Sequence, residues 1–273
     1  MITTYDFFAF PLIKGSILGG AVMATVTPGL NFVASQTTGT AMPWSKPFTG
    51  SASLASAGMI ACATGFTVKH MLGGDTKDAS EWKRLWTASV GGMISGLTTC
   101  PFEGIAQTQL STKTSMIQTA RTIHQHYGIP GFFRGAASMA VREGAWVPMY
   151  LESIPILSKR FKEAGCHRFI ADAAALIVSA GLFGVMSTPV NRLRIMKQDK
   201  LAETNTPSTS YSSLLRTMIQ ECPDLKPAER TVRFFKGAGA RSVTSALAGG
   251  LFFAGNQAYA KALEWSDNKD IKP

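Results

Sequence analysis

Residues Ala88 to Pro101 read ASVGGMISGLTTCP, and the chain then reaches Gly131-Phe132-Phe133-Arg134-Gly135-Ala136. Both halves of this pattern recur. Small-residue apolar stretches ending in proline also run from Gly15 to Pro28 (GSILGGAVMATVTP) and from Ala173 to Pro189 (AAALIVSAGLFGVMSTP). The aromatic-basic-glycine phrase returns at Arg233-Phe234-Phe235-Lys236-Gly237-Ala238. Recurrence at this spacing marks one supersecondary unit copied several times. The unit expected here is a pair of membrane-length helices, so function is sought on the three-fold axis.

Composition agrees. Only 16% of residues are charged, and they gather in segments such as Gly73–Arg84, Lys159–Arg168 and Lys197–Glu229 that separate apolar blocks. No block is a clean aliphatic run of the kind a lipid-facing single span uses. Ser, Thr and Gly dilute each one, as expected where one helix face lines a wet cavity. Six blocks of spanning length are too many for the core of a soluble helical protein of 273 residues. Spans are expected at roughly 8–36, 50–72, 84–110, 136–158, 169–198 and 238–263. They form one domain of three repeats (8–72, 84–158, 169–263). Amphipathic surface helices are expected at Thr114–Tyr127 and Tyr211–Glu221, the latter with Leu214, Leu215, Met218 and Ile219 at helical spacing.

Repeat one departs from the pattern. Pro28 to Gly50 is 22 positions, against 34 from Pro101 to Gly135 and 48 from Pro189 to Gly237. The shortfall lies in the connector, so no surface helix is expected between Pro28 and Gly50. Glycines spaced three or four apart (Gly15/Gly19/Gly20, Gly92/Gly96, Gly181/Gly184) suit close helix approach. Pro28, Pro101 and Pro189 each remove a backbone hydrogen bond and are expected to kink the odd spans, drawing them together at one end.

The formal charge of +10, with bases beside apolar blocks, points to anionic lipid head groups rather than nucleic acid. Cys62, Cys100, Cys166 and Cys222 form no CxxC and no His-rich set, so neither a metal site nor a disulfide framework is expected. No nucleophile–base pair or phosphate loop suggests an enzyme. The first fifteen residues carry no cleavable-peptide pattern.

With these motifs in place, the chain resembles the mitochondrial carrier family from about Pro11 to Leu263. The resemblance implies an all-α membrane protein of six transmembrane helices in three pseudo-symmetric repeats, multi-pass in the mitochondrial inner membrane. In that family Pro-x-acidic-x-x-basic motifs close the matrix end by salt bridges between repeats. Pro101-Phe102-Glu103 keeps the acid and Pro189-Val190-Asn191-Arg192-Leu193-Arg194 keeps the base, while Pro28-Gly29-Leu30-Asn31-Phe32-Val33 keeps neither. The implied matrix gate is one bridge, Glu103 to Arg194, braced by Gln198. Leu30 with Ala106 and Asn191 with Val33 replace the other two. Gln36 and Gln109 fall one position early for the brace.

The family's opposite gate uses aromatic-acidic-x-x-basic. Phe66-Thr67, Tyr150-Leu151 and Tyr259-Ala260 lack the acid, so no charged network is expected there. The family's solute contact points fall on Ala57-Gly58, Arg142-Glu143 and Thr244-Ser245. Arg142 and Glu143 can hold a carboxylate and an ammonium, or can be a structural pair. Arg241 matches a family arginine with structural or solute roles. Arg134-Gly135 and Lys236-Gly237, at helix starts, imply cardiolipin as a structural lipid. Phe48-Thr49-Gly50 lacks the base.

Two functions follow. Paired loss of gate charges with an intact scaffold suggests a structural or accessory subunit packed against other inner-membrane subunits. The alternative is a solute carrier for an amino acid or small carboxylate.

Overall fold

The computed structural model describes residues 4–38, 44–76, 78–199, 201, 203, 208–220, 229 and 234–269. The described residues form helices α1 (Thr4–Thr38), α2 (Ser51–Met71), α3 (Glu81–Thr112), α4 (Met116–Phe132), α5 (Ala136–Pro148), α6 (Ile154–Glu163), α7 (Arg168–Met186), α8 (Thr188–Gln198), α9 (Tyr211–Gln220) and α10 (Ala238–Lys269). A π-helical turn, Met149–Ser153, joins α5 to α6. The six spanning units are thus α1, α2, α3, α5–α6, α7–α8 and α10. Each packs on the next, and α10 returns to α1, so they close a ring.

The three-fold relation is written in three glycines. Gly50, Gly135 and Gly237 start the even spans with φ of 79°, 92° and 85°. A side chain there would meet the left-handed penalty. Each abuts the proline end of the next odd span. Gly50 lies against Ala106, Gly135 against Gln198 and Arg194, and Gly237 against Gln36. Close approach elsewhere follows the small residues. A Cβ on Gly91 would lie 2.7 Å from the Gly65 carbonyl, and one on Gly96 2.6 Å from that of Met139. Gly184 is similarly closed by Ser242, whereas a Cβ on Gly181 would meet nothing within 4 Å.

The solvent logic is inverted relative to a water-soluble bundle. Thr27, Ser95, Thr99, Thr108 and Ser179 are buried, while Met93, Ile94, Leu97, Ile177, Leu182, Leu247 and Leu251 are exposed. Hydroxyls inside and aliphatics outside suit a lipid exterior. Among the described residues, three helices qualify as spans by length and apolarity alone: Gly15–Thr38, Ser51–Met71 and Arg168–Met186. The other three units carry more polar residues, among them the buried charges of α3, α5 and α10 described below.

α1 and α3 run through Pro28 and Pro101 without interruption; of the three prolines only Pro189 sits at a break, where α7 ends at Met186 and α8 begins at Thr188. There Pro189 occupies the first turn of a new helix, where a missing N–H costs nothing. At all three sites a threonine just before the proline donates to the carbonyl four residues earlier, Thr188 to that of Gly184 at 2.7 Å. Thr27 donates to the Met23 carbonyl and Thr99 to that of Ser95, each at 2.9 Å.

The surface helices form at the expected places. α4 runs on to Phe132 across non-helical Gly128 (φ 63°, ψ −158°), and Ile123 seals it against Ile105 and Leu201. α9 buries Leu214 and Met218; Glu221 lies outside the described residues. In repeat one α1 continues to Thr38, and residues 44–50 form turns. Asn31 holds that connector by donating to the carbonyls of Pro47 (2.9 Å) and Thr49 (3.0 Å).

Candidate functional site

The ring encloses a cavity of about 170 Å³ lined from all six units. Its lining includes the apolar Val22, Val26, Leu54, Ala57 and Phe252. Five charged side chains are a further part of it: Glu103, Arg142, Glu143, Arg194 and Arg241. All five are buried. Desolvated charges at this depth persist only when paired and hydrogen-bonded.

Glu103 is the hub. Its two oxygens accept from Arg142 Nη2 (2.5 Å) and Nη1 (3.1 Å), and Arg194 Nη1 pairs with the second oxygen. Arg142 Nε also donates to Glu143 Oε1 at 2.7 Å, and Nη1 to Asn191 Oδ1 at 3.2 Å. The guanidinium therefore spreads its donors over three acceptors of its own chain. Arg194 reaches Gln198 Oε1 at 3.3 Å, and Gln198 Nε2 donates to the Arg134 carbonyl at 3.2 Å. One network thus joins α3, α5, α8 and the turn before α5.

Glu103, Arg194 and Gln198 are brought together in the arrangement the spacing implies. Arg142 joins them, which pairwise motif arithmetic does not anticipate. Leu30, Val33, Ala106 and Asn191 all line the same cavity. Gln109, set aside for its register, makes a parallel contact in repeat two. Ser53 donates to its Oε1 at 2.6 Å, and its Nε2 donates to the Thr114 carbonyl at 3.0 Å.

The opposite end corrects an expectation. Lys69 Nζ lies 2.6 Å from both Asp75 and Glu152, tying α2 to the turn between α5 and α6. The motif register placed an acid at position 151 and a base at position 70. The π-helical turn inserts one residue into its helix, which carries position 152 to where a regular helix would bring position 151. A lysine and a glutamate inside apolar blocks were the available signal, since intramembrane charges are rarely idle.

At the helix starts, Arg134 stacks over the Tyr127 ring (3.8 Å to the centroid) and Lys236 is exposed. Tyr211 supplies the hydroxyl that accepts from the Ser138 N–H (3.3 Å), so one free donor of that helix start is already used. Arg241 Nε donates to Ser187 Oγ at 2.9 Å.

Residues 77–163 match the family model for mitochondrial carrier protein. The match supports membership of the mitochondrial carrier family. The matched segment spans repeat two, where the Pro-x-acidic motif and the aromatic-basic-glycine phrase are both intact. No curated protein matches the chain. The all-α architecture is that of a membrane carrier fold, with its motifs thinned in repeat one.

Proposed function

We propose that this carrier-fold protein is a static subunit of a larger assembly in the mitochondrial inner membrane. The observation that carries the proposal is the engagement of Arg142. It is the basic member of the charged pair at the family's contact positions, and Glu103, Glu143 and Asn191 take its donors. An alternating carrier needs two states that its solute can bias, and a solute biases them only through groups it can reach.

The two ends add support. Glu103–Arg194 at the proline end and Lys69–Glu152 at the opposite end are formed together. A carrier opens one end while the other is closed, so ties at both ends suit a bundle that holds its shape. The neutral seam between α1 and α10, where Val22 and Val26 pack on Ala248, needs no charge to stay closed. Anionic lipid at Arg134–Gly135 and Lys236–Gly237 belongs to the same reading, as filler between the bundle and its neighbours.

Mild detergent extraction followed by native size separation tests this. The chain is expected to migrate within an assembly several times its own size. Migration as a lone chain in its micelle, at every detergent-to-protein ratio, would overturn the proposal. The cavity itself favours a second reading, a solute carrier for an amino acid or small carboxylate.

A further inference from the structure

Lys197 is a cation without a counter-ion at the proline end of the ring. It sits in the last turn of α8, half-buried, and no carboxylate among the described residues lies within 4.0 Å of it. Its ammonium is held in place all the same. Nζ stands 4.7 Å from the centroid of the Tyr211 ring and donates to Ser208 Oγ at 3.0 Å. More positive charge is close by. A Cβ on Gly135 would lie 3.6 Å from Lys197 Cβ, and the charge of the adjoining Arg134 acts on Lys197. Ser208, Thr209 and Ser210 lead into α9 as exposed chain outside any helix. Ser210 is committed to the fold, since its Oγ accepts from the Ser213 N–H at 3.1 Å and lies 3.0 Å from Ser212 Oγ. Ser208 is the hydroxyl that a cation already faces.

We propose that Ser208 is a phosphorylation site whose phosphate pairs with Lys197. In the transfer a protein kinase joins Ser208 Oγ to the γ-phosphorus of a nucleoside triphosphate. The bond from that phosphorus to the bridging oxygen of the departing nucleoside diphosphate breaks, and the hydroxyl proton goes to the kinase's catalytic base. Kinase and donor both come from outside this chain. Access is in place, because exposed loop chain of small polar residues is where enzymes that act on proteins take hold. Charge is in place too. A phosphoserine carries about −1.5 to −2 charges, so it supplies the counter-ion that Lys197 lacks. The existing contact then becomes an ion pair, which ties the chain ahead of α9 to the end of α8. The inference rests on Ser208 and Lys197 alone, and neither reading of transport nor any bound lipid enters it.

The test has two arms. In the first, the protein is purified from its native membranes with phosphatases inhibited, and digested with trypsin. Cleavage after Lys200 and Arg216 releases the peptide Leu201–Arg216, and its fragment masses are expected to place a phosphate on Ser208. A peptide found without phosphate, or with phosphate confined to its other hydroxyls, would overturn the proposal. In the second arm, phosphoserine is encoded at position 208 of the full-length chain, and phosphorus NMR follows its second ionisation. A neighbouring cation favours the dianion, so that pKa is expected below the ordinary value of about 6. Lys197→Gln is expected to raise it by about half a unit, and Lys197→Arg to keep it low. The same pKa in the parent and in Lys197→Gln would remove Lys197 as the partner of the phosphate and overturn the pairing.

Discussion

Glu103 on α3 and Arg142 on α5 meet through both carboxylate oxygens, at 2.5 and 3.1 Å. The pair lines the central cavity, and it also anchors Arg194 from the third repeat. One carboxylate therefore holds two arginines. Glu103→Gln should leave Arg194 without its carboxylate, leave Arg142 with Glu143 alone, and cost about 3–5 kcal/mol of stability. Asn191→Ala removes one acceptor of a charged donor and should cost about 1.5–3 kcal/mol. Denaturant unfolding in detergent compares them; equal losses would contradict the hub role of Glu103.

The glycines allow a matched pair of substitutions. Gly135→Ala forces a side chain onto φ 92° and should cost about 1–2 kcal/mol. Gly181→Ala adds a methyl within α7 that meets nothing within 4 Å, and should be neutral or stabilise by about 0.5–1 kcal/mol. Helix melting followed by circular dichroism reads both. A Gly181→Ala loss as large as that of Gly135→Ala would argue against the ring packing.

At the other end, Lys69→Met and Glu152→Gln should not be additive. Each alone leaves a buried charge short of a partner, and the double variant removes both members of the bridge between the helices. A double-mutant cycle should return a coupling of about 1 kcal/mol or more. Additivity within about 0.3–0.5 kcal/mol would mean that the clasp does not act across the interface.

Much of this was legible beforehand, and the misses have physical causes. The six units and two surface helices follow from hydropathy blocks and from the phrase glycines, because both are local properties. Glu103 with Arg194 follows from the family resemblance. Arg142 was visible as a charge but not as the partner of Glu103, since its alternatives lay 39 and one residue away and only packing chooses. Lys69–Glu152 was missed because both residues lie one position off the motif register; a π-helical turn at Met149–Ser153 accounts for the shift of Glu152, and no single residue announces such a turn. At the prolines α1 and α3 continue while α7 gives way to α8, and no local bond announces the difference, since Thr27, Thr99 and Thr188 each donate back one turn.

Anionic lipid should bind unequally around the ring. Native mass spectrometry is expected to find cardiolipin retained by the parent chain and depleted in the Arg134→Ala, Lys236→Ala variant. Thr49→Ala at the third helix start should change nothing, because Gly50 has no basic neighbour in its phrase. Equal retention in the parent and the double variant would remove these sites from the account.

The central claim is that this fold no longer alternates. The direct measurement is exchange of labelled amino acids, keto acids and nucleotides by proteoliposomes containing the folded parent chain, with Arg142→Ala alongside. The account predicts uptake no faster than through empty vesicles for every solute, including any that binds in the cavity. Saturable exchange by the parent chain, abolished in Arg142→Ala, would contradict it and make the protein a working carrier.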